Sequence, residues 1–275
     1  MIAQSLEKLS LAGKVAVVTG GTQGLGEAIA HMLAERGAEG LVICGRNAAN
    51  GQRVKAALEA KGAKTVYVAA DLALVEDCRA VIAAAENSFG RIDVLVNAAG
   101  NTDRGTIWDT SPELFDLIMA VNLRAPFFLM QEAATSMRRQ DIKGSIVNII
   151  SMSGHGGQPF ITAYCASKGA LITLTKNVAF GVMRHGIRVN GLCIGWMDTP
   201  GEDNIMRRYH GAQDGWKEQA EAKLPTGRLL KVDEVARAVT YLASEESGLM
   251  TGSIIDFDQS VLGCYESAPQ PAPIA

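Results

Sequence analysis

A serine at 151, a tyrosine at 164 and a lysine at 168 lie within the stretch S-M-S-G-H-G-G-Q-P-F-I-T-A-Y-C-A-S-K. Tyr164 and Lys168 are four residues apart, so on a helix they share one face. Ser145–Ile150 is short, apolar and β-branched and predicts a buried strand, which puts Ser151 at its carboxyl end. Tyr164 to about Met183 carries helix formers on a helical period. A hydroxyl, a phenol and an ammonium can then meet at one point. A free phenol titrates near ~10, and a neighbouring cation favours the phenolate. Lys168 together with an oxidised nicotinamide could shift it by ~3 units, toward the neutral range where a general acid/base works best. Ser151 could hold the substrate oxygen. A Tyr-x-x-x-Lys pair on its own is equally at home on a solvated helix, so the rest of the chain decides.

Lys14–Thr19 reads as a first strand, followed by the glycine turn T-G-G-T-Q-G-L-G over Thr19–Gly26 and a helix to about Arg36. Strand, glycine turn and helix form the context of a dinucleotide site. Gly20, Gly24 and Gly26 permit a tight turn and a close backbone approach, with the helix start facing a pyrophosphate. A flexible surface turn is the plain alternative. A second strand, Leu41–Cys44, ends at Gly45-Arg46, where such folds often carry an acid for the ribose 2′-hydroxyl. A guanidinium there suits a 2′-phosphate, so NADP(H) is expected in preference to NAD(H), with NAD(H) still usable. The alternative for Arg46 is a solvated loop residue. Further strands are predicted at Thr65–Ala69, Ile92–Val96, Ile187–Leu192 and Ser253–Phe257, with helices over Ala48–Lys61, Leu74–Phe89 and Val232–Ala243. Ser111-Pro112 opens one long helix to about Arg139. Asn122 within it fits a surface position and a functional one equally well.

Alternating strands and helices predict an α/β fold, a single-domain, Rossmann-like, doubly wound parallel sheet of about seven strands flanked by helices. Gly20, Arg46, Asp71, Asn97 and Ser151 then fall at or just past strand carboxyl ends, where such sheets bind ligands. The expected organisation is a catalytic unit over 1–262 with a lid over about 201–224, and a proline-rich tail over 263–275, extended or disordered.

Composition narrows the partners. The 275 residues are 48% hydrophobic and 20% charged with a net charge of −3, which disfavours nucleic acid. No apolar run reaches membrane-span length, and Met1–Ser10 lacks the pattern of a signal peptide. The five cysteines are scattered without a C-x-x-C and the four histidines are dispersed, so a reducing cytoplasm and no metal site are expected.

Together these residues resemble the short-chain dehydrogenase/reductase family from about Leu11 to Gln259. The matching parts are T-G-x-x-x-G-x-G at Thr19–Gly26, Asp71-Leu72, N-A-A-G at Asn97–Gly100, Asn122, Ser151, Tyr164-x-x-x-Lys168 and Thr199. The resemblance implies Tyr164 as general acid/base, Ser151 orienting the substrate oxygen, Lys168 on the nicotinamide ribose and Asn122 holding a relay water. It implies a cofactor-binding set of Gly20, Thr22, Gln23, Gly24, Leu25, Gly26, Arg46, Asp71, Leu72, Asn97, Ala98, Ala99, Gly100, Tyr164, Lys168, Ile194, Gly195, Met197 and Thr199. It also implies a homotetramer or homodimer. The chain departs from the family at Ile194-Gly195 (usually Pro-Gly), at Asp258-Gln259-Ser260 (usually Asp-Gly-Gly) and in lacking the acid after the second strand. The expected activity is alcohol–ketone interconversion on a small molecule. Ser153, His155, Gln158 and Trp196 are pocket candidates whose polar and aromatic mix suits a sugar or polyol. The alternatives are a non-catalytic dinucleotide-binding protein and a 3-oxoacyl-type reductase. An enoyl reductase is disfavoured because its tyrosine-to-lysine spacing is usually longer.

Overall fold

The structure is a computed structural model and describes residues 9–264. The first residues of the stretch read for a leader, Met1–Lys8, and the proline-rich segment from residue 265 lie outside the described residues. Seven strands form one parallel sheet: β1 (Val15–Thr19), β2 (Gly40–Gly45), β3 (Lys64–Ala69), β4 (Val94–Asn97), β5 (Ser145–Ile149), β6 (Arg188–Ile194) and β7 (Ile254–Phe257). Their order is β3-β2-β1-β4-β5-β6-β7. The order in which successive strands are laid down therefore reverses between β1 and β4, the kind of crevice where open α/β sheets hold ligands.

The strands are apolar on both faces because both faces are covered. Ala16 and Val18 belong to the core shared with α1 (Gly24–Glu35), α2 (Ala48–Glu59) and α9 (Val232–Ala243). Val15 and Val17 belong to the opposite core, with α3 (Val75–Phe89), α5 (Ala125–Arg139) and α6 (Thr162–Val182). The single helix expected over 112–139 is instead two, α4 (Pro112–Met119) and α5, joined by a π turn at Ala120–Arg124. The cause is Pro126. It has no N–H to give to the carbonyl four residues back, at Asn122. The Ala125 N–H bonds five residues back, to the Ala120 carbonyl. The lid segment is also helical, with α7 (Pro200–His210) and α8 (Trp216–Glu221). Thr199 caps α7, accepting from Glu202 N at 3.1 Å.

The turn after β1 is the tightest backbone crossing near the crevice. A Cβ on Gly26 would stand 2.2 Å from the Gly20 carbonyl oxygen, and one on Gly20 would stand 3.0 Å from Ala99 Cα. Gly26→Ala is therefore expected to destabilise the chain by about 1–3 kcal/mol through forced backbone movement. Denaturant unfolding would show it, and an unchanged midpoint would mean that the turn is looser than its geometry.

Candidate active site

The carboxyl edge of the sheet carries the chemistry. Register sets it: Thr19 of β1 pairs with Asn97 of β4, and Asn97 with Asn148 of β5, so these strands end level. Thr19 Oγ1 accepts from Ala98 N at 3.0 Å and Ala99 N at 3.1 Å, joining the turns after β1 and β4. Asn97 Nδ2 donates to Asn148 Oδ1 at 2.8 Å, and Asn148 Nδ2 donates to Thr175 Oγ1 at 2.9 Å. Asn97 Oδ1 is buried and has no partner among the described residues.

Ser151 follows β5, caps a short 3-10 turn at Met152–His155 and accepts from Ser153 N at 3.1 Å. Its side chain also faces the Tyr164 phenol and favours the phenolate. Lys168, one helical turn on from Tyr164, is 4% exposed, and its Nζ donates to the Ile149 carbonyl at 2.8 Å. Nζ lies 5.7 Å from the centre of the Tyr164 ring. The three residues read from the sequence are thus brought together. Burial pushes the Tyr164 phenol up to about 12, with the Ser151 side chain acting in the opposite direction. Burial also pulls the Lys168 ammonium down to about 8. Lys168 alone does not make the phenol acidic. Desolvation outweighs the Ser151 contribution there.

Asn122 is fully buried on the π turn, which removes the surface alternative. Its Oδ1 accepts from Asn101 N at 2.8 Å; its Nδ2 donates to Asn101 O at 2.9 Å and to Ser167 Oγ at 3.1 Å. Both side-chain N–H groups are spent, leaving only oxygens for a relay water. A Cβ on Gly100 would come within 3.7 Å of Asn122 Oδ1 and 3.9 Å of Lys168 Nζ, which places the β4 turn against both.

The dinucleotide set divides into backbone and side-chain positions. Gln23 precedes α1 without a side-chain cap, so the first helical N–H groups have no protein oxygen from it. Gly20, Gly24 and Gly26 keep this cradle open, and it fits a pyrophosphate. Leu25 and Leu72 are each 8% exposed and pack in the core, so only their backbones are available to a ligand. Asp71 accepts from Ala73 N at 3.0 Å, holding its own turn. A Cβ on Gly45 would lie 2.5 Å from Thr22 Oγ1, so an acid there would first have to displace Thr22. Arg46 is exposed and forms no ion pair among the described residues. A Cβ on Gly195 would stand 1.7 Å from Asp258 Oδ1, which couples two of the family departures. Gln259 makes a further contact: its Oε1 accepts from Thr226 N at 3.0 Å. Met197 is buried beside them at 9% exposure.

Of the pocket candidates, Ser153 Oγ donates to Gln158 Oε1 at 3.3 Å, and His155 is tied to Asp256 of β7. Trp196 Nε1 donates to Glu202 Oε1 at 2.8 Å, and its ring stacks on Trp216 at 5.9 Å. Sequence reading missed Arg104 and Glu202. They pair at 3.8 Å with side chains 14% and 20% accessible, and both act electrostatically on the Tyr164 phenol. Arg104 sits in a loop after β4 and Glu202 in α7. Only the folded chain joins them, although Arg104 following N-A-A-G was a visible signal.

A family model described as enoyl-(acyl carrier protein) reductase matches residues 20–260. The chain is similar to an uncharacterized oxidoreductase of Thermotoga maritima, 35% identical over 252 residues, 91% of this chain and 98% of that one. It is similar to gluconate 5-dehydrogenase of Gluconobacter oxydans, 34% identical over 255 residues, 92% of this chain and 96% of that one. Among solved structures, a gluconate 5-dehydrogenase from Burkholderia cenocepacia in complex with NADP and tartrate superposes with a TM-score of 0.83 at 31% identity, covering 93% of this chain and 97% of that one. An NAD+-bound xylitol dehydrogenase gives 0.82 at 26%, covering 90% and 98%.

The buried ammonium makes a pH prediction. Below about 8, Lys168 is charged in both folded and unfolded chains, and its desolvation is borne in full. Between about 8 and the ordinary 10.5 the folded chain releases that proton first, so stability rises with pH. Relative to Lys168→Met, the parent should gain up to ~3 kcal/mol across this window, measured by denaturant unfolding. A flat difference would show that the ammonium is hydrated.

Proposed function

The chain belongs to the short-chain dehydrogenase/reductase family, and from that premise we propose that it interconverts a secondary alcohol and a ketone on a polyhydroxylated small molecule. The observation that carries the reading is the meeting of Ser151, Tyr164 and Lys168 under the charged wall of Arg104 and Glu202. Guanidinium and carboxylate offer donors and acceptors to neighbouring hydroxyls. The Trp196–Trp216 pair offers an apolar surface to carbon-bound hydrogens. The gluconate and xylitol enzymes among the relatives support this substrate class.

A nicotinamide dinucleotide, held by the glycine cradle, the Asn97–Gly100 turn, Lys168 and the Ile194–Thr199 segment, supplies the hydride donor or acceptor. The chain's residues manage the proton. Ser151 holds the substrate oxygen. Tyr164 takes the hydroxyl proton in oxidation and returns it in reduction. Lys168 steadies the phenolate. Asn122 positions the Gly100–Asn101 backbone and presents oxygens to a water that carries the proton outward. NADP(H) is the preferred dinucleotide and NAD(H) is usable. Gly45 brings no carboxylate to repel a 2′-phosphate, and Arg46 stands free beside it. The catalytic unit spans 1–262, with the lid at 201–224. No described helix is long and apolar enough to cross a membrane. The free cysteines fit a reducing cytoplasm. A homodimer or homotetramer follows from the family, and the apolar groove of Leu117, Met119, Leu123 and Phe127 gives a second copy a place to pack.

Two outcomes check this reading. Screened against aldonates, polyols and sugars with each dinucleotide, the parent should turn over at least one, and Tyr164→Phe should lose ~10²–10⁴-fold in turnover. A folded Tyr164→Phe with parental turnover removes the tyrosine's role, and a parent that binds dinucleotide but oxidises and reduces nothing is a binding protein instead. Separately, dissociation constants measured by fluorescence should favour NADPH, and Arg46→Ala should weaken NADPH much more than NADH. Equal weakening of both would make Arg46 a solvated loop residue.

A further inference from the structure

We propose that His155, Cys193 and Asp256 form a binding site for a thiophilic divalent cation, zinc foremost, directly behind Ser151. The three residues come from separate segments: the 3-10 turn after β5, the β6 strand and the β7 strand. Cys193 and Asp256 are register partners across the parallel β6–β7 pair. Side chains at paired positions leave the sheet on the same face. The turn at Met152–His155 carries His155 over them, with Nε2 2.9 Å from Asp256 Oδ1. One imidazole nitrogen, the thiol sulfur and one carboxylate oxygen all lie within 4.8 Å of one another.

Tetrahedral zinc holds sulfur at ~2.3 Å and nitrogen or oxygen at ~2.0–2.2 Å, which puts its ligands roughly 3.5 Å apart. Closing the widest gap therefore needs a movement of about 1 Å. The side chains of His155 and Asp256 are 25% and 39% accessible and can rotate, whereas Cys193 is fully buried and fixed. A cation would enter from their exposed side. Thiolate, imidazole and carboxylate together are a borderline-soft donor set that suits zinc and disfavours magnesium and calcium. Three protein ligands leave a fourth position for water. The thiolate and Asp256 supply two negative charges, and the Lys168 ammonium favours the thiolate. The dispersed histidines of the sequence concealed this cluster, because only one of them takes part and its partners lie 38 and 101 positions away along the chain.

A contact ties this cluster to the candidate active site. The backbone N–H of Ser151 faces the Cys193 thiol and favours its deprotonated form. A bound cation would engage the same sulfur and pin both ends of the Ser151–His155 turn. The site needs no assumption about the substrate, so its test is independent of the proposed reaction.

Chelator-treated full-length protein is titrated with Co2+ and followed by absorption. The expected result is a near-ultraviolet thiolate-to-cobalt band with intense visible bands of tetrahedral cobalt, at one equivalent, displaced by Zn2+. Cys193→Ser should abolish the near-ultraviolet band. Loss of even a ligand's supporting partner typically costs ~10–100-fold in affinity, so His155→Ala and Asp256→Asn should each weaken binding by at least ~10-fold. Those two positions are accessible enough for their variants to fold, so they decide the matter if Cys193→Ser does not. Cys264→Ser, at the exposed thiol, should change nothing. The proposal is overturned if no thiolate band forms, if Cys264→Ser abolishes it, or if His155→Ala and Asp256→Asn both bind as the parent does.

Discussion

A buried ammonium is costly, and the candidate site is built around one. Lys168 is almost without solvent, and it donates to the Ile149 carbonyl at the end of β5. That carbonyl is free for it because the strand stops there and the chain turns at Ser151. The position of α6 against β5 fixes the ammonium beside the Tyr164 ring. The cost is recovered only if the charge is used, which is the usual bargain at a functional site. The surrounding polar ladder of Asn97, Asn148 and Thr175 holds the neighbouring strand ends level, so the site's donors stay in place without water.

The legible part of this arrangement was local. All seven strands stood out as short apolar runs because both sheet faces are covered, and Ser151, Tyr164 and Lys168 are spaced by a strand end and one helical turn. What could not be read depended on contacts across the chain. Asn122 was ambiguous because a helical period alone does not show which face is buried, and the π turn that buries it comes from Pro126, a signal present but not weighed. The segment over 201–224 was read as a lid with no helix assigned to it, whereas Thr199-Pro200 is a regular helix start. Arg104 and Glu202 are distant in sequence and meet only when α7 folds back over the loop after β4.

The departures from the family pattern turn out to be connected. Gly195 has no room for a side chain because Asp258 lies against it, and Gln259 reaches from the end of β7 to the Thr226 loop. The segment that follows β6 is thus braced from β7 in place of the usual proline and glycines. Gly45 is likewise a packing solution as well as an electrostatic one, since Thr22 fills the space that an acidic side chain would need.

The central claim is that the tyrosine is a poor acid in the free protein and becomes a working one only when a second positive charge arrives beside Lys168. The direct measurement is the titration of the Tyr164 phenol by carbon-13 NMR of ring-labelled tyrosine, with Tyr164→Phe for assignment, in the presence and absence of the oxidised dinucleotide. The account predicts titration near 12 in the free chain and a fall of several units when the dinucleotide binds. A phenol that already titrates near neutrality in the free protein, or one whose titration does not move on binding, would contradict it.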